Sequence, residues 1–65
     1  MQLLTAAQTE ILQKLADGDR YADVALATGR SEGTIKNIMH QMLQELGADN
    51  SRHAIAQAFR AGLLR

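Results

Sequence analysis

Tyr21-Ala22-Asp23-Val24-Ala25-Leu26-Ala27-Thr28-Gly29-Arg30-Ser31-Glu32-Gly33-Thr34-Ile35-Lys36-Asn37-Ile38-Met39-His40-Gln41-Met42-Leu43-Gln44-Glu45-Leu46 is the stretch whose reading decides the fold. It divides into a short segment, a tight turn at Ala27-Thr28-Gly29-Arg30, and a longer segment opened by Ser31. In the longer segment Ile35, Ile38, Met39, Met42, Leu43 and Leu46 recur at steps of three and four, which on a helix gathers them into one apolar stripe. The opposite side then carries Gly33, Asn37, His40 and Gln44, with Lys36 on one flank and Thr34 and Gln41 on the other. Ala25 is small enough for two helices to approach closely, and Gly29 supplies the backbone freedom that a sharp reversal needs. With Ile35 and Ile38 these positions have the spacing of a helix-turn-helix.

A polar helix face with little negative charge suits the major groove of DNA, which admits one α-helix whose outward side chains exchange hydrogen bonds with base edges. Asn pairs bidentately with adenine, and Lys favours guanine. The same residues also suit the wet side of an ordinary surface helix; the helix and turn that precede them favour the groove.

Working outward, the chain reads as four helices. Thr5 with Gln8 forms a capping-box pattern, so a first helix is expected over 6–17, stopping at Gly18 and burying Ile11, Leu12 and Leu15. A second is expected over 21–27, with Asp19 as its cap and Val24 and Ala25 inward. The third runs over 32–46, from the Ser31 cap to the Gly47 stop. The fourth, over 51–61, is expected to follow Asp49-Asn50 and to bury Ile55 and Phe59. The fold class is all-α: a compact four-helix domain, residues 1–65, containing a helix-turn-helix.

From about Leu4 to Leu63 the chain resembles the LuxR-type (GerE-like) helix-turn-helix domains found at the output end of many bacterial transcription regulators. The resemblance is carried by Leu4-Thr5, Glu10-Ile11-Leu12, Gly18, Val24-Ala25, Ser31, Thr34-Ile35-Lys36, Leu46-Gly47-Ala48, Ala54-Ile55, Ala58 and Gly62-Leu63, in order and without a gap. There are departures. Ala7-Gln8 stands where the family usually has Arg-Glu, Arg20-Tyr21 where it has Ser-Asn, Ile38 where it has His, and Glu45 where it has Lys. Thr28 and Arg30 occupy positions that are normally apolar, so a turn packed differently is expected, and Ser51 replaces an Arg that here falls one place later at Arg52. The lost positive charges bear on DNA affinity more than on the fold.

Seven basic residues balance seven acidic ones, whereas phosphate binding ordinarily rests on a basic surface. The distribution softens that objection. Residues 1–29 hold two basic and four acidic side chains, a net of −2, and residues 30–65 hold five and three, a net of +2. With 65 residues the core is small and the stability marginal. Tyr21 and Phe59 are the only aromatics, which leaves little for stacking on single strands. Without cysteine there is neither a disulfide nor a thiolate metal site. No paired carboxylates, histidine cluster or glycine-rich phosphate loop points to catalysis, and so short a helical domain leaves little room for a pocket. We therefore expect no enzyme activity, no metal and no cofactor. The N-terminus lacks the apolar run of a targeting or membrane segment, so a cytoplasmic location without membrane contact is expected.

Function follows from these parts as an expectation: a sequence-specific regulator of transcription that binds double-stranded DNA with helix 32–46 in the major groove. The resemblance assigns base contacts to Lys36, Asn37 and His40. It assigns backbone contacts to Arg30, Ser31, Gly33, Thr34, Gln41, Gln44 and Arg52, with Ser31 and Thr34 at a helix N-terminus that favours a phosphate and equally able simply to cap the helix. Few phosphate contacts per subunit would make affinity depend on a homodimer. The last helix commonly mediates dimerisation in the resembled family, and Ala54, Ala58 and Ala61 form a small-residue strip that serves either this interface or helix propensity alone. The rival expectation is a protein-binding modulator that forms a heterodimer with a longer LuxR-type regulator or docks on RNA polymerase without reading DNA. Neutral net charge, Ala7 and Glu45 favour the rival; Thr34-Ile35-Lys36 and the polar face favour DNA.

Overall fold

Four helices follow one another in the computed structural model, which describes residues 4–65: α1 (Ala6–Ala16), α2 (Tyr21–Thr28), α3 (Glu32–Leu46) and α4 (Ser51–Arg60). Most of their ends are set by short-range hydrogen bonds that the sequence carries. Thr5 Oγ1 accepts the Gln8 amide at 3.1 Å while the Thr5 amide donates back to Gln8 Oε1 at 2.9 Å, the reciprocal box expected from the pair. Ser31 Oγ accepts the Thr34 amide at 3.1 Å, and Asn50 Oδ1 accepts that of His53 at 2.9 Å. Helix α2 departs from expectation: its cap is Arg20 rather than Asp19, and the Arg20 amide donates to Asp23 Oδ2 at 3.2 Å. The Asp23 carboxylate thus satisfies the amide of the cap residue itself, and no side chain accepts from the first-turn amides. Asp17 and Ala61 fall just outside α1 and α4 as their C-caps, and Thr28 belongs to α2.

Between α2 and α3 the chain reverses at Gly29, whose φ of +68° lies in the left-handed region that a side chain disfavours. The reversal is closed by the Arg30 amide donating to the Ala25 carbonyl at 2.9 Å. Thr28, at a position the family keeps apolar, is accommodated because its hydroxyl donates to the Val24 carbonyl at 2.7 Å, so its polar atom is satisfied within its own helix. Arg30 is exposed.

Helix α3 is the centre of the molecule. It packs on α1, α2 and α4, and α1 in turn touches α2 and α4. The largest fully buried side chains are Ile11 and Leu12 of α1, Val24 of α2, and Ile35, Met39 and Met42 of α3. Ile38, Leu43 and Leu46 are partly buried and pack against this cluster, as does Leu15. Burying each of the larger side chains contributes about 1.5–3 kcal/mol, which for so small a core makes every one of them matter.

Helix α4 is rotated relative to expectation. Ala54 (0% exposed) and Ala58 (2%) face the core, while Ile55 is half-buried and Phe59 is 46% exposed. The physical reason is space. Methyl side chains bring the α4 backbone close to its neighbours, whereas a phenyl ring there would force the helices apart. Ala54, Ala58 and the exposed Ala61 therefore do not form an outward strip for a second copy; two of the three already contact this chain's own interior. The segment after α4 returns to the core through Leu64. It is clamped there by Gln13, whose side-chain amide donates to the Arg65 main-chain oxygen at 3.1 Å and accepts the Arg65 amide at 2.9 Å. Ala54→Leu is expected to cost about 1–3 kcal/mol through overpacking, while Phe59→Ala stays within about 1 kcal/mol. Urea denaturation followed by circular dichroism checks both, and a reversed order of cost would contradict this orientation of α4.

Candidate nucleic-acid interface

Burial of Ile35, Met39 and Met42 leaves α3 only one way to face, and Gly33, Thr34, Lys36, Asn37, His40, Gln41 and Gln44 are all exposed along it. No segment of the described chain covers Asn37 or His40. Two contacts order this face. Gln44 Nε2 lies 3.5 Å from His40 Nε2, and Lys36 Nζ lies 3.9 Å from Glu32 Oε1. Both join residues four apart, so Glu32, Lys36, His40 and Gln44 form one ridge along the helix. Glu32 was not among the candidate residues. Its signal was nonetheless in the sequence, since a Glu four places before a Lys on a helix makes such a pair.

At the N-terminus of α3 the Ser31 hydroxyl is engaged twice, accepting the Thr34 amide and lying 2.8 Å from Thr34 Oγ1. The amides of Glu32 and Gly33 belong to the first turn, whose N–H groups have no intrahelical acceptor and confer partial positive charge. Gly33 adds no side chain in front of them, and a Cβ built there would meet nothing within 4 Å. Arg30 adjoins this turn in the chain, whereas Arg52 stands on the first turn of α4, outside the α3 set.

Two departures from the family pattern prove to be one contact. Gln8 Nε2 donates to Glu45 Oε2 at 3.3 Å, tying the start of α1 to the last turn of α3. Glu45 is thus engaged toward α1. Ile38, where the family has His, is half-buried and extends the core.

Elsewhere an open hollow of about 900 Å³ lies between α1 and the C-terminal segment, lined by residues including Leu4, Glu10, Gln13 and Arg65. It is larger than expected for a chain of this length because the return of the C-terminal segment forms one wall. It shares no residue with the α3 face. Among the described residues no helix is long and apolar enough to cross a membrane.

The sequence profile of the "Bacterial regulatory proteins, luxR family" matches residues 2–58. The chain belongs to this luxR family. It is 34% identical over 61 residues to the "Uncharacterized transcriptional regulatory protein YxjL" of Bacillus subtilis (strain 168), covering 94% of this chain and 28% of that protein. To the "Transcriptional activator protein CarR" of Pectobacterium carotovorum subsp. carotovorum it is 36% identical over 61 residues, covering 94% and 25%. The chain therefore spans about a quarter of the length of these curated relatives. A solved structure titled "Structure of Transcription factor, GerE" superposes with a TM-score of 0.94 at 31% identity, covering 100% of this chain and 97% of that one. A superposition this close over the whole chain means that Thr28 and Arg30 leave the overall path similar to that of GerE. The family is one of bacterial regulatory proteins rather than enzymes. Because the Ser31 cap opens the helix that carries the exposed face, Ser31→Ala is expected to cost about 1 kcal/mol of stability and Ser31→Gly only a few tenths. Thermal melts of the two variants provide the comparison.

Proposed function

We propose that this domain reads double-stranded DNA sequence-specifically, with α3 in the major groove and Lys36, Asn37 and His40 at base edges. The observation that carries this reading is the uncovered polar face of α3, held outward by the buried stripe on its other side. Asn37 pairs with adenine, Lys36 with guanine, and His40 lies one turn further along the same face. Arg30, Ser31, Gly33, Thr34, Gln41, Gln44 and Arg52 contact the sugar-phosphate backbone, the first-turn amides acting with Ser31 and Thr34 on a phosphate.

A domain with no net charge gains little from phosphates alone, so useful affinity calls for two copies on two half-sites. Helix α4 is the proposed contact between copies. The exposed Phe59 takes the role first expected of the alanines, beside the half-buried Ile55, which also packs against this chain's core. The proposed site of action is the cytoplasm. A second reading, docking on a protein such as RNA polymerase or a longer LuxR-type regulator without DNA contact, is favoured by the neutral charge and by Leu26, 84% exposed on α2.

Binding to a random duplex at low salt separates the two, since a DNA reader retains non-specific affinity there and a protein-docking module shows none. On a duplex selected from a random library, Asn37→Ala is expected to cost about 1–3 kcal/mol and to relax sequence preference. Arg52→Ala should weaken all duplexes alike and flatten the salt dependence. Equal, small losses from both would remove this docking. Analytical ultracentrifugation of Phe59→Glu on DNA tests the interface, with loss of the two-copy complex expected; a wild-type chain that stays monomeric both free and on DNA would end the dimer proposal.

A further inference from the structure

Seven acidic and seven basic side chains form a single ion pair among the described residues, and that pair lies on the reading helix, between Glu32 and Lys36. Stability does not account for its position. The two side chains are 52% and 60% exposed, and a solvated pair of this kind adds little. An acid in the first turn suits the helix dipole, yet the dipole does not require a lysine four places on. For a helix that enters a groove, the carboxylate carries a cost, because phosphates flank it on both sides.

We infer that Glu32 is a specificity-determining positioning residue that acts through Lys36. This rests on the docking of α3 proposed above. A lysine ammonium is a compact charge on a flexible four-carbon stem. Left alone beside DNA, it is drawn to the nearest phosphate whatever the sequence. At 3.9 Å from Lys36 Nζ, the Glu32 carboxylate biases the ammonium toward the ridge that continues through His40 to Gln44. It also repels phosphates. Random duplex therefore meets a pre-paired lysine and an unfavourable carboxylate, and recovers little from either.

The right site offers more. Guanine O6 and N7 accept from Lys36 without drawing it off the ridge, and a cytosine amino group on a neighbouring base pair donates to the Glu32 carboxylate freed on one side. Discrimination thus arises partly by penalising the wrong sequence. The ligand it implies is a half-site with a G·C pair under Lys36 and a second cytosine within reach of Glu32.

Glu32→Gln and Glu32→Asp test this, measured on the duplex that the chain selects from a random library and on a scrambled duplex of equal length. Glu32→Gln is expected to raise affinity for scrambled duplex about three- to tenfold and to lower the selected-to-scrambled ratio by a similar factor, with a scrambled-duplex salt slope steeper by about one. Glu32→Asp keeps the charge but is one methylene too short to hold Lys36. It should raise scrambled binding by less than Glu32→Gln does, because the carboxylate still repels phosphates, while weakening the selected duplex. If both variants shift only the melting temperature and leave the ratio within about twofold, while Lys36→Ala lowers it, Lys36 reads DNA without Glu32 and the inference fails alone. If Lys36→Ala also leaves the ratio unchanged, the docking itself is wrong and the inference falls with it.

Discussion

Everything in this domain depends on how one side of α3 is held. Ile35, Met39 and Met42 are buried where α3 packs on the three other helices, so turning or sliding α3 would expose them to water. A rod anchored along one stripe must present the opposite stripe, and its polar residues are exposed for that reason. The face takes its orientation from the buried side, and the two contacts between residues four apart act within that frame. That matters for recognition, because side chains aimed at base edges are useful only if the helix bearing them does not turn.

The turn between α2 and α3 converts this local arrangement into a familiar one. A left-handed Gly29, a Thr28 hydroxyl absorbed by its own helix and a closing bond to Ala25 make the reversal nearly self-contained. That is why two residues unusual for the family leave the path of the chain intact and the superposition on GerE close. Charge is handled with similar economy. The domain is neutral overall, yet Glu45 is engaged by Gln8 and Glu32 by Lys36, so neither α3 carboxylate is left without a partner.

Helix α4 shows how the limits of a small core shape the surface. With two alanines inward its backbone approaches closely, Ile55 packs at the margin of the core, and Phe59 is displaced to the outside. The exposed phenyl ring is thus a consequence of close packing as well as a surface that a second copy would cover.

Residues near one another in the chain determined most of what the sequence could say. Thr5 with Gln8, Ser31 with Thr34, Gly29 and Gly47 act over three to five positions, so helix limits were legible to within a residue or two, and the inward and outward faces of α3 followed from its strict period. Only tertiary structure decided which face of α4 points inward, because Ala54-Ala58 and Ile55-Phe59 are adjacent stripes on one helix and the choice lies in how near α1 and α3 allow its backbone to come. The same holds for Gln8 with Glu45 and Gln13 with Arg65, pairs separated by 37 and 52 residues. Local periodicity carries no information about contacts at that range; they exist because packing the core brings distant ends of the chain within hydrogen-bonding distance.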